Sequence, residues 1–571
     1  MTAASQSRAD APAPVAPRGA ARFAPSIPEW VAILLIVAMP LGYGHQWLSL
    51  DGDPARHIRV GETILRSGLF YHDPFSFTKA GAPFVPYEWL SEVLDALSVR
   101  LAGLPGLIVL TGAILAVTYA VVTQTLVRRG IAPIVAIPTL LVAMAVGSEH
   151  WHARPHLYTL LGAAVLMTLI DRGADSQRSE SFRGAWSAAW PVIPLFAVWA
   201  NLHGGFLYGL FVLGAVVVGD RVEMLNASGP DVTVWRGALV RHGAMLAAAA
   251  LAALLTPSGP RLYAHTLSYL GDSYLVNNTQ EYMSPNFHVA RFALIAIVLA
   301  TTTLAILPRR ASFPTLAIVA INLAFSLMSG RNLPLFGIVA LPLVALELER
   351  ALAIWVPGWS CRLGRRLGRL IAARLVPPWP VAAVIAMFML ARTTSGTVQP
   401  ADQFSARSTL FPTTFNPAVF PVRAVTAARN ARLTGRMFHE FTWGGYVLYA
   451  WPEQEVFIDG QTDFYGDSIT QEYQQILGVE PGWRRKLAMW RIDLALIQTV
   501  SPLADAIAHE AGWRPVYCDS TAVLFQRDDS SGPPLAPLTS LTASCQPLAI
   551  TPLATAAERA VVQPTATPNS Q

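Results

Sequence analysis

Long apolar runs separated by short polar connectors fill the first two thirds of the chain. They lie near residues 30–43, 103–127, 130–148, 157–170, 188–200, 206–219, 243–256, 292–308, 313–329, 333–348 and 379–392. Several are shorter than the ~20 residues a perpendicular membrane helix needs, so polar ends must extend them. The pattern predicts about eleven transmembrane helices. From about residue 393 the pattern changes. Glu455–Gly460 and Ile492–Ile497 read as short buried strands. Val516–Asp519 and Ala522–Phe525 read as a hairpin around Ser520-Thr521. Helical spacing near 421–433, 468–477 and 502–511 separates them, which predicts a small α/β domain. The expected fold is therefore an all-α polytopic membrane bundle carrying one α/β domain. The expected boundaries are a disordered tail at 1–26, the bundle at 27–392, the domain at 393–527 and a Ser/Pro/Thr/Ala-rich tail at 528–571.

Composition agrees with the pattern. The chain is 53% hydrophobic and 13% charged, against about 25% charged in an ordinary soluble domain. The net charge of +5 does not indicate nucleic acid, because the arginines sit in short clusters between apolar runs. With the N-terminus in the cytoplasm, alternate loops carry Arg128-Arg129, then Arg172, Arg178 and Arg183, then Arg221, Arg236 and Arg241, then Arg309-Arg310. The basic amphipathic segment after Pro357, ending at Arg374, then lies along the cytoplasmic leaflet. An odd number of spans carries the α/β domain to the outer face. The first long loop, with Arg56, Arg59, Arg66 and Arg100, departs from the rule. The first apolar run lacks a small-residue cleavage site and reads as a retained span. Of the three cysteines, Cys518 and Cys545 can pair in an oxidising compartment.

The first loop, from Asp51 to about Ala102, holds the densest chemistry. Asp51-Gly52-Asp53-Pro54-Ala55-Arg56-His57 opens a helix carrying Ile58, Gly61, Ile64 and Leu65, with Asp53 placed to cap it and Gly68 to end it. Tyr71–Phe77 is extended, with a turn signal at Asp73-Pro74. Pro86–Glu92 opens a second helix, and Trp89 suits the membrane interface. The same face is expected to hold Glu149–His156, Asn201–Gly205, Asn277–Tyr282 and Gly330–Asn332. Each group alone reads as loop decoration. Together at helix ends they point to one polar site.

An acidic motif opening an amphipathic outer loop after the first span resembles the GT-C membrane glycosyltransferases, which include the protein O-mannosyltransferases and the aminoarabinose transferases of lipid A. Asp53-Pro54-Ala55-Arg56-His57 through Ser67-Gly68 follows their order. Asp51-Gly52-Asp53, His57, Asp73-Pro74-Phe75-Ser76 and Glu88-Trp89-Leu90-Ser91-Glu92 resemble more closely a group of bacterial membrane proteins that carries no assigned activity. Those have Trp-Trp where this chain has Ala55-Arg56. The GT-C likeness covers most of the membrane half. It implies transfer of a sugar from a polyprenyl-phosphate donor to an extracytoplasmic glycan, lipid or protein acceptor at a bacterial inner membrane.

Such chemistry needs a carboxylate to orient or deprotonate the acceptor and cationic or donor groups to hold the leaving phosphate. The resemblance assigns the carboxylate to Asp53, with Asp51 beside it. Asp51, Asp53 and His57 could instead hold a divalent metal such as Mg or Mn. Arg154, His156, His203 and Arg331 are the phosphate candidates, with Gly204-Gly205 allowing close backbone approach. Glu88 and Glu281 complete the expected site. Competing readings are a transporter and a non-catalytic envelope or polysaccharide-export assembly partner. In the outer domain, Phe441–Tyr446 and Asp459–Asp463 are conspicuous loops with aromatic and acidic residues suited to sugar.

Overall fold

The computed structural model describes residues 25–49, 51–175, 186–187, 189–270, 274, 277, 280–288, 311–355, 378–395 and 410–528. The apolar part is helical: α1 (Ile27–Trp47), α2 (Asp53–Ser67), α3 (Trp89–Arg128), α4 (Pro133–Gly147), α5 (His156–Asp175) and α6 (Val192–Leu202). It continues with α7 (Phe206–Asn226), α8 (Pro230–Ala252), α9 (Pro260–Leu270), α10 (Phe313–Met328), α11 (Leu341–Trp355) and α12 (Pro378–Ser395). Among the described residues, three helices are long and apolar enough to cross a membrane: α1, α3, and α4 with its short extension to His150. α6, α10 and the apolar stretch Pro378–Thr394 of α12 are shorter. The expectation of about eleven membrane helices is therefore not supported. Local punctuation explains part of the shortfall, since α6 is bounded by Pro191 and by His203-Gly204-Gly205. The run at 292–308 and the basic segment between Pro357 and Arg374 lie outside the described residues, as do both expected tails apart from their inner edges.

α3 joins two expected elements. Its first part is the second loop helix and its remainder is the second apolar run. They meet at Ala102-Gly103, where Gly103 has φ 64° and breaks the helical path. That conformation favours glycine. α2 lies against the first part of α3, burying Pro54, Ala55, Ile58, Gly61 and Ile64, and Gly68 ends it with φ 83°. The two helices approach so closely that a methyl group on Gly61 would overlap the Glu92 carbonyl. Gly61→Ala is expected to cost about 1–3 kcal/mol of stability through overpacking. Thermal unfolding in detergent checks it, and an unchanged midpoint would show that the two helices part without cost.

The α/β unit holds a four-stranded sheet of order β1-β2-β4-β3, with β1 (Arg436–His439), β2 (Ile492–Gln498), β3 (Trp513–Cys518) and β4 (Ala522–Arg527). β1 runs parallel to β2, while β2–β4 and β3–β4 are antiparallel. The expected hairpin is present. Asp519 closes it by accepting from the Thr521 and Ala522 amides at 2.8 Å each. Helices α13 (Val422–Asn430), α14 (Gly444–Ala450), α15 (Thr462–Leu477), α16 (Trp483–Met489) and α17 (Pro502–Ala508) surround the sheet. One expected strand is corrected. Glu455–Gly460 is buried at its centre but is not in the sheet; its Val456 bridges Ser76 of the first loop instead. The fourth strand is β1, whose buried Met437 and Phe438 were not singled out in the sequence.

That bridge places the site. Val456 N–H donates to Phe75 O at 3.0 Å and Phe77 N–H donates to Val456 O at 3.2 Å. The Thr78 hydroxyl adds a bond to Phe457 O at 2.6 Å. Asp73 holds the turn ready, accepting from the Phe75 and Ser76 amides at 3.0 Å each. The first loop and the α/β unit are thus stitched through backbone.

Candidate active site

Asp53 is the first residue of α2, and its carboxylate caps nothing. The expected capping role is corrected: Asp51 Oδ1 accepts the Asp53 amide at 3.1 Å instead. Asp53 is thereby left free to face Arg154, whose Nε lies 3.2 Å from its Oδ2. The same nitrogen bonds Asp51 Oδ2. Arg154 Nη1 donates to Glu281 Oε1 at 2.6 Å, and Arg331 Nη1 lies 3.8 Å from the other Glu281 oxygen. Arg331 also donates to the Tyr282 hydroxyl and lies over its ring at 5.1 Å. Three carboxylates and two arginines, from the start of α2, the residues just before it and three further loops, therefore form one network. Their spacing in sequence is large because they lie at helix starts and in connectors far apart along the chain.

The two aspartates differ electrostatically. Burial alone would raise Asp51, but the charge and hydrogen bond of Arg154 hold it below the usual carboxylate range. Burial pushes Asp53 up to about 6, Arg154 opposing and the charge of Asp51 adding to the rise. Glu281 resists the same burial and sits at about 2 because Arg154 and Arg331 favour its ionised form. One acid poised near neutrality beside two fixed anions is an arrangement suited to proton transfer.

A second cluster begins one turn along α2. Arg56, 4% exposed, donates to Asp459 Oδ1 at 3.1 Å, to Gln461 Oε1, and to Glu92 Oε1 at 3.4 Å. His57 Nδ1 lies 3.4 Å from the same Glu92 oxygen. His203 Nε2 lies 3.5 Å from Glu88 Oε1. Burial raises Glu88 to about 7 despite the charge of His57, and lowers His203 to about 3. His57 is raised: burial opposes protonation, but Glu92 and Glu88 outweigh it. The group that could hold a metal is His57, Glu88 and Glu92, rather than the expected Asp51, Asp53 and His57, because Arg154 lies between the aspartates and His57 turns to α3.

The structure thus gathers Asp51, Asp53, Arg154, Glu281 and Arg331 in one group, and His57, Glu88 and His203 in the adjacent one. His156 lies at the edge of the first group, close enough to Arg331 to feel its charge. Its Nε2 bonds His150 O at 2.7 Å, holding its own loop. Trp89, expected at the interface, donates to Asn201 Oδ1 at 2.6 Å. Arg56, Glu92, Asp459 and Gln461 were missed as site residues. Glu88 and Glu92 lie four apart at a helix start, a spacing that puts both on one face and was legible. The partnership of Arg56 with Asp459, 403 positions away, was not.

The α/β unit forms one wall. A methyl group on Gly460 would overlap Asp53 Oδ1, and one on Gly52 would overlap Thr442 O. Both conspicuous loops of the α/β unit therefore press on the Asp51–His57 motif. Beyond them, His265 and Asp463 pair at 3.1 Å. A depression of about 670 Å3 lined by Val425, Thr426, Arg429, Asn430, Tyr449 and Ala450 contains no acid or histidine, so it is not this site.

No protein-family model matches the chain, and no curated protein matches it in sequence. Among solved structures it is similar to the crystal structure of the Archaeoglobus fulgidus oligosaccharyltransferase in complex with Zn and sulfate. The identity is 12%, covering 88% of this chain and 72% of that one, with a TM-score of 0.44.

Proposed function

We propose that the chain is a membrane glycosyltransferase of GT-C type that moves a sugar from a polyprenyl-phosphate donor to an acceptor hydroxyl outside the cytoplasm. The observation that carries the reading is Asp53: a carboxylate free of any capping bond, raised to about 6, beside an arginine network able to bind phosphate. The sequence resemblance of the Asp53 motif supports the same assignment.

In this reading Asp53 takes the proton of the acceptor hydroxyl. The acceptor oxygen bonds the anomeric carbon as the bond from that carbon to the phosphate oxygen breaks. Polyprenyl phosphate leaves with the electron pair. Arg154 and Arg331 hold the departing phosphate, which replaces Glu281 as their anionic partner. Asp51 stays ionised and keeps Arg154 aimed at the reacting centre. Glycan, lipid and protein acceptors all supply the hydroxyl. The N-terminus is cytoplasmic and the α/β unit extracytoplasmic, and the engagement of Cys518 in a disulfide supports an oxidising side for that unit.

Transfer from radiolabelled polyprenyl-phosphate sugars by membranes containing the protein tests the proposal. Asp53 must be ionised to act, so the rate is expected to fall as pH drops through about 6. No transfer from any hexose or pentose donor counts against the reaction. An acid limb near 4 counts against Asp53 as the base.

A further inference from the structure

We propose that His57, Glu88 and Glu92 form a binding site for one transition-metal divalent cation, Zn2+ by preference, that ties α2 to α3. The ligand atoms of the three residues all lie within 4.8 Å of one another. Glu88 directly precedes α3 and Glu92 is in its first turn, so the two carboxylates share a face. His57 approaches from α2. The His57 Nδ1 to Glu92 separation of 3.4 Å is long for a hydrogen bond. It matches the edge of a tetrahedron of ligands about 3.4 Å apart around a metal with bonds near 2.1 Å. One imidazole and two carboxylates suit zinc or manganese better than calcium or magnesium, which favour all-oxygen sets.

Charge points the same way. Glu92 and Asp459 both contact Arg56, while Glu88 faces the imidazoles of His57 and His203 and also feels the charge of Arg56. With three carboxylates around one permanent cation, a divalent ion takes the place of the protons that Glu88 and His57 hold without it.

The neighbouring histidine is arranged to support a ligand. The Gly205 amide donates to His203 Nδ1 at 2.9 Å, and the Thr159 hydroxyl lies 2.8 Å from the same atom. Nδ1 is therefore an acceptor, and the neutral ring carries its proton on Nε2, directed at Glu88. An outer group that orients a carboxylate ligand in this way is a recurring feature of metal sites. The ion would fix the helix whose first residue is Asp53.

The test uses the full-length protein in detergent, stripped with chelator and reloaded with Zn2+ alone. After gel filtration, elemental analysis is expected to give one zinc per chain. Glu88→Gln and His57→Gln should each lower occupancy at least tenfold, while Asp53→Asn keeps it. Zinc should raise the unfolding temperature of the unsubstituted protein and leave that of Glu88→Gln unmoved; Glu88→Gln also spares the Arg56 contacts, so its folding is readable without metal. Zinc retained in both variants overturns the site. So does zinc lost in Asp53→Asn but kept in Glu88→Gln, which would place the ion at the aspartates, and so does a chain that binds none. The result is independent of the proposed reaction: zinc bound here by a protein that transfers no sugar leaves the site standing and the glycosyltransferase reading refuted.

Discussion

Asp53→Asn is expected to lower sugar transfer by roughly 10²–10⁴-fold, the usual contribution of a positioned general base. The folded protein should remain. Asp53 makes no capping bond, so no helix start is lost. Its interaction with Arg154 is shared, and Asp51 and Glu281 still hold that arginine. The sign of the pH effect follows from the raised value of about 6. Folding takes up a proton between the ordinary carboxylate value and 6, so this group's contribution to stability falls as pH rises through that window. Above it the ionised Asp53 is a liability, which the neutral amide removes. The variant should therefore unfold no lower than the unsubstituted protein at pH 7.5, with transfer nearly abolished. Full transfer by the folded variant would remove Asp53 from the chemistry. A collapse of the melting temperature would mean that its role is structural.

Arg56→Met should produce the largest loss of stability, about 3–5 kcal/mol, the range for removing one partner of a buried ion pair. The guanidinium is buried and touches Glu92 on α3, and Asp459 and Gln461 in the α/β unit. Its removal leaves Asp459 with the Tyr465 hydroxyl at 3.2 Å and its own loop amide as partners. The loop from Asp459 to Asp463 then loses its anchor beside Asp53. Thermal unfolding in detergent reads the loss, and limited proteolysis reads the release of the α/β unit. Adding Asp459→Asn to Arg56→Met should recover part of the loss, because the stranded charge goes with its partner. Equal melting temperatures for Arg56→Met and the unsubstituted chain would show that the two regions dock without this contact.

Much of the local structure was legible because it depends on near neighbours. Apolar runs marked the helical region, Pro54 and Gly68 bracketed α2, and the break at Ala102-Gly103 fell where the loop was expected to end. The hairpin at Ser520-Thr521 and the helices α13, α15 and α17 followed from alternation and helical spacing. The prominence of the Asp51–His57 motif also came from sequence, since four charged or titratable groups in seven residues are conspicuous beside an apolar run.

Tertiary structure decided the partnerships. Asp53 reads as a helix cap from its position before Pro54, yet Asp51 bonds its amide, and that depends on how the chain leaves α1. Val456 has the pattern of a sheet strand but pairs with Phe75 and Phe77, because the first loop presents open backbone groups that any extended apolar segment could satisfy. His57 could serve the aspartates or the glutamates. The close approach of α2 to α3 at Gly61 turned it to Glu92. Arg56 found Asp459 across most of the chain. Period and capping act over a few residues and are written into them. Ion pairing acts wherever packing brings charges together, and no local pattern specifies which of several acids an arginine will meet.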